Sequence, residues 1–371
     1  MTDGDERRSL MFFMPHLGGG GAERIFVDYT RAAREAGHDV HLVLLRAEGE
    51  LLGSVADGVR VTGLGLPRAR YAVGPLARLI RAERPGAVIS QLGAANAAAL
   101  LAAALARTSA RRIAVQGIAL SRDRARTVSR IPLRRRLVTG ALYRLADVVV
   151  SPSEGVREDL AAWLKLPAAR LAVAPNPVDL AAIRAAAKAP APHPWTEPGA
   201  PPLILGAGRL APQKNFALLI DAFARLRAER EARLVILGEG PLRPALEAQI
   251  AALGLGADVR MPGFVDNPFA WFARAAAFAL SSDFEAFGCV VAEALACGCP
   301  VVSTDCPWGP AEILGEGRFG RLVAPGNAVA LAAALATTLD HPPSAQTLLA
   351  RAAAFEAETA FRRLIAVSGL A

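Results

Sequence analysis

The sequence predicts an α/β protein of two doubly wound, Rossmann-like domains, and three observations carry that prediction. Short β-branched runs alternate with Ala/Leu/Arg stretches of helical period, the pattern of βαβ units around a parallel sheet. The alternation breaks once, at the proline-rich KAPAPHPWTEPGAPP of residues 188–202, and then restarts. In each half a glycine-rich loop stands where a strand should give way to a helix, the position at which doubly wound sheets bind their ligands.

Strands are expected in the first half at 10–15 (LMFFMP), 39–45, 59–64, 87–90, 112–116, 147–151 and 171–175. Six prolines in 188–202 deny that segment a regular element and suit an exposed linker. Strands resume at 203–208 (LILGAG), 233–238, 259–263, 277–281, 300–304 and 320–325. The expected organisation is a domain over 1–187, a linker over 188–202 and a second domain over 203–354, with the active site in the cleft between the domains.

Bulk properties agree with that plan. A length of 371 residues suits two domains of about 150–200 each. Apolar residues make up 53%, yet AANAAALLAAALA at 94–106 falls short of the about 20 residues that span a bilayer, so a soluble chain is expected. MTDGDERRSLMFFMP runs into a glycine loop without a small-residue cleavage site and reads as a first strand, not an export signal. Cys289, Cys297, Cys299 and Cys306 then point to reduced thiols in the cytoplasm, and without CxxC pairs they do not suggest zinc. The net charge of +8 is concentrated: residues 107–144 hold eleven arginines and one acid, Asp123. Such a face suits an anionic partner. Nucleic acid is disfavoured, because Tyr143 is the one aromatic there for stacking on bases.

Chemistry concentrates in three stretches. FMPHLGGGGAER places Gly18, Gly19, Gly20 and Gly21 between strand and helix, where side-chain-free backbone N–H groups can approach an anion. It lacks the third glycine of a dinucleotide fingerprint, and the chain has no GK dipeptide for a Walker A lysine. GAGRLAPQKN at 206–215 repeats the arrangement and adds Arg209 and Lys214, the latter one of three lysines against thirty-nine arginines. Two cations there would neutralise a diphosphate. DFEAFGCVVAEALACGCPVVSTD then sets Glu285 and Glu293 eight residues apart. At 100° per residue the pair can line one cleft only if Glu285 precedes the helix and Glu293 lies inside it.

GGGGAER, ADVVVSPSEGVREDL with LAVAPNPVD, GRLAPQKN, LGEGPLR and SSDFEAFGCVVAEALACGCPVVSTDCPWGPAEIL occur in order from about residue 10 to 330. Together they resemble a retaining glycosyltransferase of family 4 with the GT-B fold. The resemblance implies transfer of a hexose or N-acetylhexosamine from a nucleoside diphosphate sugar, UDP favoured, to a glycan or lipid-linked acceptor held by the N-terminal domain. It implies that Glu285 and the amides after it, at Phe287 and Gly288, hold the donor sugar and that Glu293 grips the ribose. Arg209, Lys214 and the amides of Gly19, Gly20 and Gly21 would face the diphosphate, and Gly238, Glu239 and Val265 would complete the donor site. Glu285, Arg209 and Lys214 are the expected catalytic residues. The last helix, about 355–371, would pack back on the N-terminal domain. No cofactor is expected, and with no DxD beyond residues 3–5 no metal either.

The chain departs from the family at two places. Ala286 stands where glycine usually follows the first glutamate, which leaves the donor sugar open. Gln116, Gly117 and Ile118 occupy a region where many relatives carry a histidine, and His16 is a substitute to consider. Alternative functions are a GT-B sugar-nucleotide epimerase and a non-enzymatic protein that binds anionic surfaces. The arginines Arg122, Arg124, Arg126, Arg130, Arg134, Arg135 and Arg136 suggest peripheral contact with an anionic membrane from the cytoplasmic side.

Overall fold

A computed structural model describes residues 9–121 and 133–370. They form two compact units, Met1–Pro177 with Ala357–Ala371, and Val178–Glu356. The first holds strands β1 (Ser9–Met14), β2 (Asp39–Leu44), β3 (Arg60–Gly63), β4 (Ala87–Gln91), β5 (Arg111–Val115), β6 (Val148–Ser151) and β7 (Leu171–Val173). They pair in the order β3-β2-β1-β4-β5-β6-β7, every ladder parallel. The second holds β8 (Leu203–Ala207), β9 (Arg233–Leu237), β10 (Val259–Gly263), β11 (Ala277–Leu280), β12 (Val301–Thr304) and β13 (Arg321–Val323). Their order is β10-β9-β8-β11-β12-β13, again all parallel. Each predicted run yields a strand, with ends shifted by no more than two residues.

Continuous apolar runs explain the parallel sheets. Residues 10–14 of β1 and all of β8 are buried, as strands covered by helices on both faces must be. The alanine-rich helix Gly93–Ala106 lies against the helix Val73–Glu83 and against β4 and β5, its small side chains permitting close approach. In each sheet the strand order reverses once, between β1 and β4 and between β8 and β11. The glycine loop after β1 and the Arg209–Lys214 loop after β8 therefore sit at the two switch points, where a crevice opens at the strand carboxyl ends.

The division falls ten residues before the expected boundary at 187. Val178, Leu180 and Ile183 are buried in the same core as Phe272, Phe278 and Leu295, so the helix Leu180–Ala187 belongs to the second unit. Residues 188–202 lie in that unit too; most of them are exposed, as expected, and a few side chains tie the segment down. Trp195 lies under the guanidinium groups of Arg233 and Arg260, at 5.5 and 4.8 Å. His193 stacks on Trp271 at 5.9 Å, and Thr196 is buried. The helix Ala357–Val367 lies in the first unit against Gly21–Glu35, with Phe361 buried edge-to-face on His38 at 5.5 Å.

Arg122, Arg124, Arg126 and Arg130 lie outside the described residues, while Arg134, Arg135 and Arg136 fall in the helix Leu133–Tyr143. Among the described residues, no helix is long and apolar enough to cross a membrane. Among them, too, no group of three or more His, Cys, Asp and Glu side chains is placed to hold a metal ion.

Candidate functional site

The loops at the carboxyl ends of β8 and β11 are joined by a dense set of polar contacts. Asp283 N donates to Gln213 O at 2.9 Å, and Gln213 Nε2 returns a bond to Phe284 O at 2.8 Å. Asn215 Nδ2 donates to Asp283 Oδ1 at 2.9 Å, and Ser281 Oγ to Lys214 O at 2.9 Å. Within this frame Lys214 Nζ donates to Glu285 Oε1 at 2.6 Å, and the buried Ser282 Oγ donates to the same oxygen at 2.7 Å. The end of β12 and the loop after it close the third side: Thr304 Oγ1, on the last residue of β12, donates to Ser282 O at 2.6 Å, and Glu285 N donates to Pro307 O at 3.2 Å. Both partners of the ion pair are largely withdrawn from water. A charge pair so placed is held by geometry, because each partner left alone would be costly to bury. The thiol of Cys306 registers the same neighbourhood: burial, then the Glu285 charge, pushes it up to about 12, with Lys214 opposing.

Backbone contact between loops explains one of the predicted glycines. Gly238 has φ +124°, and a Cβ there would fall 2.1 Å from Gly208 O, so no other residue lets the loops after β8 and β9 lie so close. Gly208 N donates to Leu237 O, and Leu210 N to Glu239 O, both at 2.9 Å. The Glu239 carboxylate is half-exposed and forked onto Arg243, at 3.0 and 2.8 Å. Arg209 is exposed on its loop. Gly288, at φ +90°, precedes the helix Cys289–Ala296. Glu285 thus stands before that helix and Glu293 inside it, half-buried. Negative charge on Glu293 adds to burial in pushing the Cys297 thiol up to about 12. Phe287 turns its ring into the core against Phe355 at 5.6 Å, so its backbone alone is left to meet a ligand. Val265 packs on that same core, half-buried.

The first unit has its own predicted loop. Gly19, Gly20 and Gly21 are exposed, and Gly20 caps the helix Gly21–Glu35 without a side-chain bond. Carboxylates flank them: a Cβ on Gly19 would meet Glu50 Oε2 at 2.5 Å, and one on Gly20 would meet Glu23 Oε2 at 2.5 Å. Gly18 N donates to His16 Nδ1 at 3.1 Å, leaving Nε2 to carry the ring proton. In the region 116–118, Gln116 is bonded through both of its polar side-chain atoms. Tyr143 OH donates to its Oε1 at 2.6 Å, and its Nε2 donates to Ile118 O at 3.0 Å. Asn96 Nδ2 donates to Tyr143 OH at 3.0 Å, and burial pushes the phenol up to about 12.

Sequence reasoning found Lys214 and Glu285 separately and missed that they pair. It also missed Ser282, Thr304 and Gln213, polar residues two or more positions from any quoted glycine or glutamate. One signal was available: SerSer at the end of a strand otherwise built of apolar residues.

Each unit is a doubly wound parallel sheet, as in the GT-B fold, and in the second a cation and a carboxylate stand at the switch point, where such sheets bind ligands. Residues 189–354 match the family described as Glycosyl transferases group 1, and residues 19–182 match Glycosyltransferase Family 4. The chain belongs to the family-4-like glycosyltransferases of GT-B fold. It is 37% identical over 210 residues to the N-acetylgalactosamine-N,N'-diacetylbacillosaminyl-diphospho-undecaprenol 4-alpha-N-acetylgalactosaminyltransferase of Campylobacter jejuni, covering 56% of this chain and 55% of that one. It is 32% identical over 155 residues to the alpha-D-kanosaminyltransferase of Streptomyces kanamyceticus, covering 41% and 40%. The chain thus spans about half the length of the curated relatives it matches. The solved structure of Anabaena Alr3699/HepE in complex with UDP-glucose shares the fold, with a TM-score of 0.78, 20% identity and coverage of 96% and 98%.

Proposed function

We propose that the protein transfers a hexose or N-acetylhexosamine from a UDP-sugar to a lipid-linked or growing glycan acceptor, with retention and without a metal ion. The Lys214–Glu285 pair at the switch point of the second sheet is the observation that carries this reading. A carboxylate accepts paired sugar hydroxyls, and an ammonium group with two further N–H donors can face a diphosphate leaving group. Arg209, on the same loop, adds a second cation. Two likenesses support the choice of substrates. The Campylobacter relative is named for a diphospho-undecaprenol acceptor, and the Anabaena structure holds UDP-glucose. In this reading the leaving diphosphate helps to deprotonate the acceptor, and the protein contributes positioning and charge.

A thermal-unfolding screen of UDP, GDP and their sugars tests the donor. A ligand at about a hundred times its Kd adds about 2.7 kcal/mol of apparent stability. UDP and one UDP-hexose or UDP-N-acetylhexosamine should raise Tm most. Transfer in EDTA to a polyprenyl-diphosphate glycan, with the product anomer read by NMR, tests the rest. A free sugar released without an acceptor would favour the epimerase alternative. An inverted product, or activity lost in EDTA and restored by Mg²⁺, would overturn retention or metal independence.

A further inference from the structure

The frame around Glu285 assigns its oxygens unequal tasks. Oε1 accepts from both Lys214 Nζ, at 2.6 Å, and Ser282 Oγ, at 2.7 Å. Oε2 remains as the carboxylate's second acceptor. Ser282 is itself fixed from two directions: it ends the buried run that begins with β11, and its carbonyl receives Thr304 Oγ1 from the last residue of β12 at 2.6 Å. Its hydroxyl has one proton to give, and it gives it to Glu285.

We propose that Ser282 is a positioning residue for Glu285: its bond and the Lys214 bond together hold Oε1, so that Oε2 alone meets a hydroxyl of the donor sugar. Lys214 is then shared. One N–H holds Glu285 and two remain for the diphosphate, which ties the orientation of the sugar-binding carboxylate to occupancy of the phosphate site. A carboxylate held by one bond can rotate and trade its oxygens, whereas one held by two on the same oxygen cannot do so without losing both. The fixed geometry matters most where the sugar ring reorganises, so its loss should appear in turnover more than in nucleotide affinity. This inference rests on the donor-sugar reading of Glu285.

The test is donor kinetics and UDP calorimetry on Ser282→Ala and Ser282→Thr, with a thermal-unfolding cycle that combines Ser282→Ala with Glu285→Ala. Ser282→Ala should lower kcat roughly tenfold, the scale of a hydrogen bond to a charged group. UDP affinity should stay within about twofold, and Ser282→Thr, which restores the hydroxyl, should recover most of the turnover. Unchanged kcat in Ser282→Ala, or UDP affinity falling as far as kcat, would overturn the proposal. The unfolding cycle decides the matter without activity. Ser282→Ala should lower Tm when Glu285 is present and change it little when Glu285 is alanine, because the hydroxyl then has no carboxylate to hold. Additive Tm losses would overturn the positioning role. A wild-type protein that turns over no nucleotide sugar would overturn the functional reading instead, and the cycle would still decide the role of Ser282.

Discussion

Glu285 and Glu293 stand eight residues apart yet meet different surroundings. Glu285 is buried before the helix in a bond pair with Lys214 and Ser282, and Glu293 is half-buried inside it. Substitutions should therefore fail differently. If Glu285 holds the donor sugar as proposed, Glu285→Gln should lower kcat by roughly 10²-fold, about 2.7 kcal/mol of transition-state stabilisation, with UDP affinity retained. If Glu293 grips the ribose, remote from the reacting carbon, Glu293→Gln should mainly raise the donor KM, the signature of lost uniform binding. Donor kinetics with UDP calorimetry on both variants separates these outcomes. Near-normal kcat in Glu285→Gln would remove Glu285 from the sugar. These glutamates and Lys214 were legible in the sequence because they are chemically conspicuous among apolar neighbours. Ser282 was not, since a serine at a strand end gives no sign of what its hydroxyl meets.

Loops that touch through their backbones define the next scale. Gly238 combines φ +124° with a Cβ position 2.1 Å from Gly208 O, so Gly238→Ala must move the loop that carries Arg209. It should cost about 2 kcal/mol or more in denaturant unfolding, from a left-handed backbone and a clash together. UDP affinity should fall with it. Gly21 makes the contrast: a Cβ there meets nothing within 4 Å, and its φ is not positive. Gly21→Ala at the start of Gly21–Glu35 should leave stability unchanged or raise it by about 0.4–1 kcal/mol, because alanine narrows the unfolded ensemble. A large loss at Gly21 together with none at Gly238 would show that the contact geometry does not govern these loops. The sequence marked both glycines as functional and could not rank them, because rank depends on what lies opposite.

Charge belongs to the whole molecule. The excess of +8 is gathered in residues 107–144, where eleven arginines face one acid in sequence. A basic stretch of that density should bind anionic vesicles through several weak, additive attractions of about 1 kcal/mol each near the surface. Co-sedimentation with phosphatidylglycerol vesicles should exceed that with neutral vesicles and fall as salt is raised. The triple change of Arg134, Arg135 and Arg136 to Gln should reduce it. Equal binding to neutral vesicles, or none lost in the triple variant, would dismiss a membrane role for this stretch.

The sequence by itself determined the elements. The alternation of strand-like and helix-like runs placed the thirteen strands of the described residues within two residues, most plainly where burial on both faces, as in β1 and β8, writes a continuous apolar run into the chain. It also determined the chemistry on offer, through Arg209, Lys214, Glu285 and Glu293. Tertiary structure decided what meets what. Strand order brought the loops after β8 and β11 side by side although about seventy residues separate Lys214 from Glu285. Packing moved the division of the chain to residue 177, since Val178, Leu180 and Ile183 bury in the second core, a choice that local pattern cannot express. It also tied the largely exposed 188–202 to that unit through Trp195 and Thr196, because the contacts of those side chains depend on distant partners that local pattern does not name.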